Sequence, residues 1–274
     1  MWYCLLEFYF ISVLNHETDK QYSLIEYTFH VSQLLIQFSI ILFLQEDSMK
    51  KQVFKVLDYI DENGDDQSLD FECNTPHVLI LGNNLDDIVG LEKKMLKNLS
   101  DSNGKEINLI VIDDNNVFPD RFFSDLEFNH ISRINEDEAI SSLDGNLTQT
   151  FVDRYLMLYR YNEGNFTKLN DSGKGHLKML VYFFPSISNN RKLHRALGRS
   201  GSAIQVGVHA IAGINFKLEN PEPFDGCETR ISFPAEDKSN DMRFFCKYLE
   251  ELPAAGDIWF KFGYSGQVKA ISPK

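Results

Sequence analysis

The eight residues Gly82, Asn83, Asn84, Leu85, Asp86, Asp87, Ile88 and Val89 stand where a chain could hold a phosphate. An apolar run, Val78 to Leu81, leads into Gly82, and a polar turn then leads into apolar residues at helical spacing. That is the frame of a phosphate loop, G-x-x-x-x-G-K-[ST]. Its glycines let backbone N–H groups approach the phosphates, its lysine neutralises them and its hydroxyl holds magnesium. Counting from Gly82, the second glycine position is Asp87, the lysine position Ile88 and the hydroxyl position Val89. Asp87 has a side chain where none fits and brings negative charge. Ile88 brings no charge, and Val89 has no oxygen for a metal. The frame is present and its chemistry is missing.

Two other stretches imitate sites. Asp61, Asn63, Asp65 and Glu72 fall at positions 1, 3, 5 and 12 of a calcium loop, but Asp66 and Ser68 stand where glycine and an apolar residue are needed. With its glycine displaced to Gly64, this stretch reads as a solvated hairpin turn. "DSGKGHLK" (171–178) has a Gly-Lys pair, but Lys168 stands at the first-glycine position and no buried strand precedes it. It reads as a turn. Cys4, Cys73, Cys227 and Cys246 are far apart and form no C-x-x-C, which suits reduced thiols and gives no metal site.

The net charge of −13, without a basic run, argues against a nucleic-acid surface. The 274 residues suffice for one large α/β domain. "MWYCLLEFYFISVL" and "VSQLLIQFSIILFL" are apolar but only about 14 residues each, short of the roughly 20 that cross a bilayer. Residues 1–48 are therefore set apart as an apolar extension, with the domain at 49–274. "SMKKQVF" looks like the start of the domain.

Within that domain apolar strands alternate with helical patterns. Residues 50–60 suit a strand or short helix, and Asp86 to Leu99 a helix with Ile88, Leu91, Met95 and Leu99 on one face. Strands are predicted at 78–81, 107–113, 177–184, 205–214, 228–234 and 256–262. Helices are predicted within 137–161, over "NNRKLHRALGRSGSA" and over "NDMRFFCKYLEEL". Continuous apolar strands separated by helices imply an α/β fold, a mostly parallel central sheet with helices on both faces. In such a fold ligands collect beyond the carboxyl ends of the strands. That makes "VYFFPSI" a candidate recognition edge, with core packing the expectation for at least two of Phe183, Phe184 and Ile187.

The order of segments resembles the FtsK/SpoIIIE family of P-loop motor ATPases, within the RecA-like fold. "INLIVIDDNN" resembles the second family strand with its terminal acid, Asp113. "FVDRYLMLY" resembles the end of a long family helix with an arginine-tyrosine pair, Arg154 and Tyr155. "VGVHAIAGIN" resembles the "GIHLILATQ" strand, keeping Gly207 and His209. "TRISFPAEDKSND" keeps Arg230, Ile231, Phe233 and Lys238, and "LPAAGDIWF" keeps Gly256 and Asp257. The resemblance spans residues 68–274. It implies an acidic pair after the third strand, where this chain has "VYFFPSIS", and a polar sensor pair where it has Ile214 and Asn215.

Within that family a terminal, degenerate motor module is most similar to that of EssC-type coupling ATPases, which drive type VII secretion in Gram-positive bacteria. The resemblance implies a module at the cytoplasmic face of the membrane, anchored through other parts of a longer protein. It would sit beside further ATPase domains in a ring and recognise secreted helical-hairpin, WXG100-like proteins. It also implies no cofactor and no metal. In an alternative reading the chain is an ATPase that binds ATP and magnesium and translocates protein or DNA. Arg199 and Arg230 would then serve a neighbouring subunit as in-trans arginines.

Overall fold

The computed structural model describes residues 52–82, 84–143, 149–185, 187, 191–214, 227–233, 258–262 and 268–274. The extension 1–48, Asn83, Asn215, Lys238, Gly256, Asp257 and the predicted helix "NDMRFFCKYLEEL" lie outside them.

The strands are β1 (Lys55–Ile60), β2 (Asp66–Asp70), β3 (Val78–Leu81), β4 (Ile107–Val111), β5 (His130–Arg133), β6 (Met179–Phe184), β7 (Val208–Ile214), β8 (Thr229–Ser232), β9 (Ile258–Lys261) and β10 (Val268–Pro273). They form one sheet in the order β2-β1-β10-β9-β8-β3-β7-β6-β4-β5. From β8 to β5 every pairing is parallel. From β2 to β8 every pairing is antiparallel. The sequence alone predicts no such antiparallel wing and no partner for "GQVKAIS". Its strands find each other only through pairing across the whole chain.

Helices cover both faces. They are α1 (Leu85–Asn103), α2 (Asp120–Ser124), α3 (Glu136–Leu143), α4 (Gln149–Tyr161), α5 (Phe166–Asp171) and α6 (Arg191–Arg199). Side chains alternate along β3, so Val78 and Ile80 join one core with Ile88, Leu91, Met95 and Leu99 of α1. Leu79 and Leu81 join the other, with Ala139, Leu143, Phe151, Leu158, Ala196 and Leu197 from α3, α4 and α6. Each Val, Leu, Ile, Met or Phe side chain taken fully out of water contributes about 1.5–3 kcal/mol, and each alanine less. This is why β3 and β6 read as unbroken apolar runs, and β7 as one broken only by His209: both of their faces are covered.

Several predicted boundaries shift. The helical pattern over 137–161 is two helices, α3 and α4, on either side of "DGNLT", a stretch rich in helix-breaking residues that lies outside the described residues. The basic helix stops at Arg199 and continues as a 3-10 turn, Ser200–Val206, so β7 begins at Val208 rather than 205. The 3-10 turn ends on Gly207 at φ +75°, and a side chain there would run into the Phe166 ring. Residues 55–60 are a strand, paired with β2 in a hairpin. At its turn Asp61 Oδ1 accepts the backbone N–H groups of Asn63 and Asp65, at 2.9 and 3.0 Å. The carboxylate that would open a calcium loop is thus committed to the turn.

Candidate functional site

The site is built where β3 hands over to α1. Gly82 N–H donates to Ile214 O at 3.1 Å, which holds the start of the turn against the end of β7. The helix begins at Leu85, with Asn84 as its N-cap accepting from Asp86 N–H at 3.0 Å. Only residues 82–84 separate strand from helix. Leu85 and Asp86, two of the residues that would have to wrap a phosphate, are already helical. Asp86 and Asp87 are exposed in the first turn, so carboxylates already face the positive end of the helix dipole.

Ile88, at the lysine position, is fully buried. It fills the space that Gly82 leaves open: a Cβ on Gly82 would meet Ile88 at 3.0 Å and Phe233 at 3.3 Å. Here the glycine admits an apolar side chain. Val89 is half-buried and packs on the same core.

The neighbouring strand ends match this character. Phe183, Phe184 and Ile187 beyond β6 are all buried, as is Ile214 at the end of β7. The candidate recognition edge "VYFFPSI" therefore supplies core. Asp113, after β4, is buried with both oxygens engaged: it accepts Val117 N–H and Phe118 N–H, each at 2.8 Å. It caps a turn in which Asn116 has φ +53°.

The other family-like residues lie elsewhere. Arg154 is buried and donates to Val206 O at 2.6 Å and to Lys178 O, while Tyr155 donates to Ser202 O at 3.2 Å. The pair ties α4 to the segments that start β6 and β7. Arg230, inside β8, is buried with Nε on Cys227 O at 3.1 Å. Arg199 is exposed at the end of α6, which leads back to the start of β7. That is the amino-terminal edge of the parallel strands, opposite Gly82. Neither arginine is brought to the turn.

Compared with known proteins, no family model matches the sequence, and no curated protein sequence matches it. Solved structures do. The cytoplasmic domain of the Thermomonospora curvata type VII secretion ATPase EccC aligns with 81% of this chain at TM-score 0.58 and 17% identity. EssC (ATPases 2 and 3) from Geobacillus thermodenitrificans aligns with 81% at TM-score 0.55 and 9% identity. This is the fold of a type VII secretion ATPase domain. The chain spans 29% and 44% of those two chains.

Within this ATPase fold the structure adds buried polar groups that spacing did not single out. His77, just before β3, holds Ser200 Oγ at 2.8 Å, and that hydroxyl donates to Leu197 O. Nε2 of His77 therefore carries the proton and Nδ1 is an unpartnered acceptor. His209 lies flat on Phe71, ring centroids 4.3 Å apart, with no partner for either nitrogen. Burial lowers His77 to about 4, and lowers His209 in the same direction.

A histidine held neutral in the fold but protonated when unfolded costs stability as pH falls below 6.5. For His77 the loss runs from 6.5 down to about 4 and reaches about 3 kcal/mol. Urea midpoints measured from pH 7 to pH 4 should fall over that interval, and less steeply in His77→Asn.

A third such group is Glu92. It sits on the apolar face of α1, one turn after Ile88, fully buried and without a hydrogen-bond partner for either oxygen. An acid at an apolar helical position is visible in the sequence, but its burial is not. Among the described residues no three potential metal-binding side chains converge, and no helix is long and apolar enough to cross a membrane.

Proposed function

We propose that this chain is a non-catalytic, ATPase-like domain of a type VII secretion motor, acting in the recognition or regulation of secreted substrate proteins. One observation carries the reading: α1 starts at Leu85 and drives Ile88 into the core, where a phosphate loop would extend a lysine. A triphosphate does not fit these residues. The turn is too short to surround it, Asp86 and Asp87 repel it, and no side chain at Ile88 or Val89 neutralises it or binds magnesium. Phosphoryl transfer depends on positioning and charge stabilisation, so losing lysine, metal ligand and acidic pair together removes its main source.

In this reading the fold is kept as a scaffold beside neighbouring ATPase domains of a longer, membrane-anchored protein of a Gram-positive bacterium, with the scaffold on the cytoplasmic side. Its partners are secreted helical proteins of the WXG100 kind, and it uses no ATP, metal or nucleic acid. The likeness to the EccC and EssC domains supports the setting, and the filled turn supports the loss of chemistry.

Isothermal titration with ATP and magnesium should give no heat of binding, and Ile88→Lys alone should not create turnover. A dissociation constant in the micromolar range, or phosphate release by Ile88→Lys, would reverse the assignment toward an active motor. Co-purification with a secreted helical protein, unchanged by nucleotide, is the positive result expected.

A further inference from the structure

Glu92 has no role in the turn and no bond of its own, yet it lies at the edge of the sheet where this fold places ligands. A Cβ on Gly213 of β7 would stand 2.4 Å from Glu92 Oε1, 2.8 Å from Ile88 Cγ2 and 2.9 Å from Pro185 O. The carboxyl thus occupies space left by the missing side chain of Gly213. Ile88 covers it toward the turn, and the carbonyl after β6 lies beside it. Neither oxygen reaches water or a donor. An ionised carboxylate in that position is strongly disfavoured, and a neutral acid far less so.

The charged groups around it do not relieve that cost. Asp113, beyond β4, is negative and its oxygens are used by Val117 and Phe118. Lys93, next to Glu92 on α1, places its ammonium 5.9 Å from the centre of the Phe118 ring. Asp86 and Asp87 are exposed at the start of the same helix. Among the described residues, the ends of β3, β6 and β7 offer only Leu81, Phe183, Phe184, Gly213 and Ile214. The charges on β1 and after α1 are at the far end of the helix, where Lys55 pairs with Asp58 and Glu106 with His176. Burial, and then Asp113, push the Glu92 carboxyl well above the ordinary glutamate range.

We propose that Glu92 is a proton-operated latch. While its carboxyl carries a proton, the first turns of α1 stay seated on β7. When the proton leaves to solvent, they lift and open the edge beyond β6 and β7. The sign follows from the raised proton affinity of the closed form. The closed seam is fully stable below the ordinary value near 4.5 and weakens as pH rises through the closed-state value. The latch acts on the edge itself and does not require that a secreted protein binds there.

The test uses the full chain with its isoleucine δ1 methyl groups labelled, a soluble gadolinium chelate as probe, and NMR spectra across a pH series. Ile88 covers Glu92, so its methyl group is the reporter. In the native chain the open fraction should rise about tenfold per pH unit before levelling off, the slope of a single proton. Broadening of the Ile88 signal by the chelate should rise with it. In Glu92→Gln the signal should stay protected throughout; if that variant folds poorly, Glu92→Met serves in its place. Protection of Ile88 in the native chain to the alkaline end of the series would overturn the latch. So would opening with the same midpoint in either variant.

Discussion

Arg154→Ala should lower the stability of the domain by about 2–5 kcal/mol, because each buried carbonyl left without its donor costs about 1–3 kcal/mol and the packing of the long stem is lost. Arg154 is 8% exposed, and its guanidinium joins Val206 O to Lys178 O, two segments that are far apart in sequence and start adjacent strands, β7 and β6. Removing it leaves the buried Val206 carbonyl and the half-buried Lys178 carbonyl without this donor at the start of the parallel sheet. Burial lowers the group only to about 10, so it remains charged at neutral pH and its bonds are charge-assisted. Lysine carries its three N–H donors on one nitrogen and lacks the planar fork that spans the two carbonyls. Arg154→Lys should therefore recover only part of the loss. Urea denaturation followed by far-ultraviolet dichroism measures both. An alanine variant within about 0.5 kcal/mol of the native chain would show that the strut contributes nothing to stability.

Phe183→Ala should cost a similar amount, about 3–5 kcal/mol. The ring is fully buried and stands edge-on to Phe118 at 5.1 Å and to Phe123 at 6.4 Å. The cavity would open between β6, β4 and α2, where neighbouring rings cannot close in without leaving their own contacts. The size of the effect separates core from binding groove. A groove residue, truncated, would weaken partner capture and leave the urea midpoint unchanged. A core residue shifts the midpoint whether or not a partner is present.

These two residues bear on the meaning of the family resemblance. Arg154, Tyr155, Gly207 and Asp113 match the family pattern, and each of them holds the fold together. Arg154 and Tyr155 anchor strand starts, Gly207 turns the chain at positive φ beside Phe166, and Asp113 caps a turn. The positions that would touch a nucleotide, Asp87, Ile88 and Val89, depart from it. Residues that hold strands in register serve the scaffold whatever the turn at Gly82 binds.

Much of the architecture was legible in the sequence. Val78–Leu81 and Met179–Phe184 are unbroken apolar runs, and Val208–Ile214 is broken only by His209, a pattern that strands covered on both faces need. The face of α1 followed from the spacing of Ile88, Leu91, Met95 and Leu99. That Ile88 and Val89 stand where a phosphate loop has its lysine and hydroxyl was a matter of counting residues. These are local properties, set by side-chain period and by which atoms a residue carries.

Other features depended on tertiary contacts. Spacing put the start of α1 at Asp86, one residue from the observed Leu85, but it could not show that Ile88 fills the space beside Gly82. It could not place β1, β2, β9 and β10 as an antiparallel wing, since antiparallel pairing between distant strands leaves no local period. Nor could it show that Glu92 is sealed against Gly213 beside Asp113, or that His77 and His209 are neutral in the core. Burial and electrostatic coupling arise from residues far apart in the chain, so they exist only once the sheet has brought those residues together.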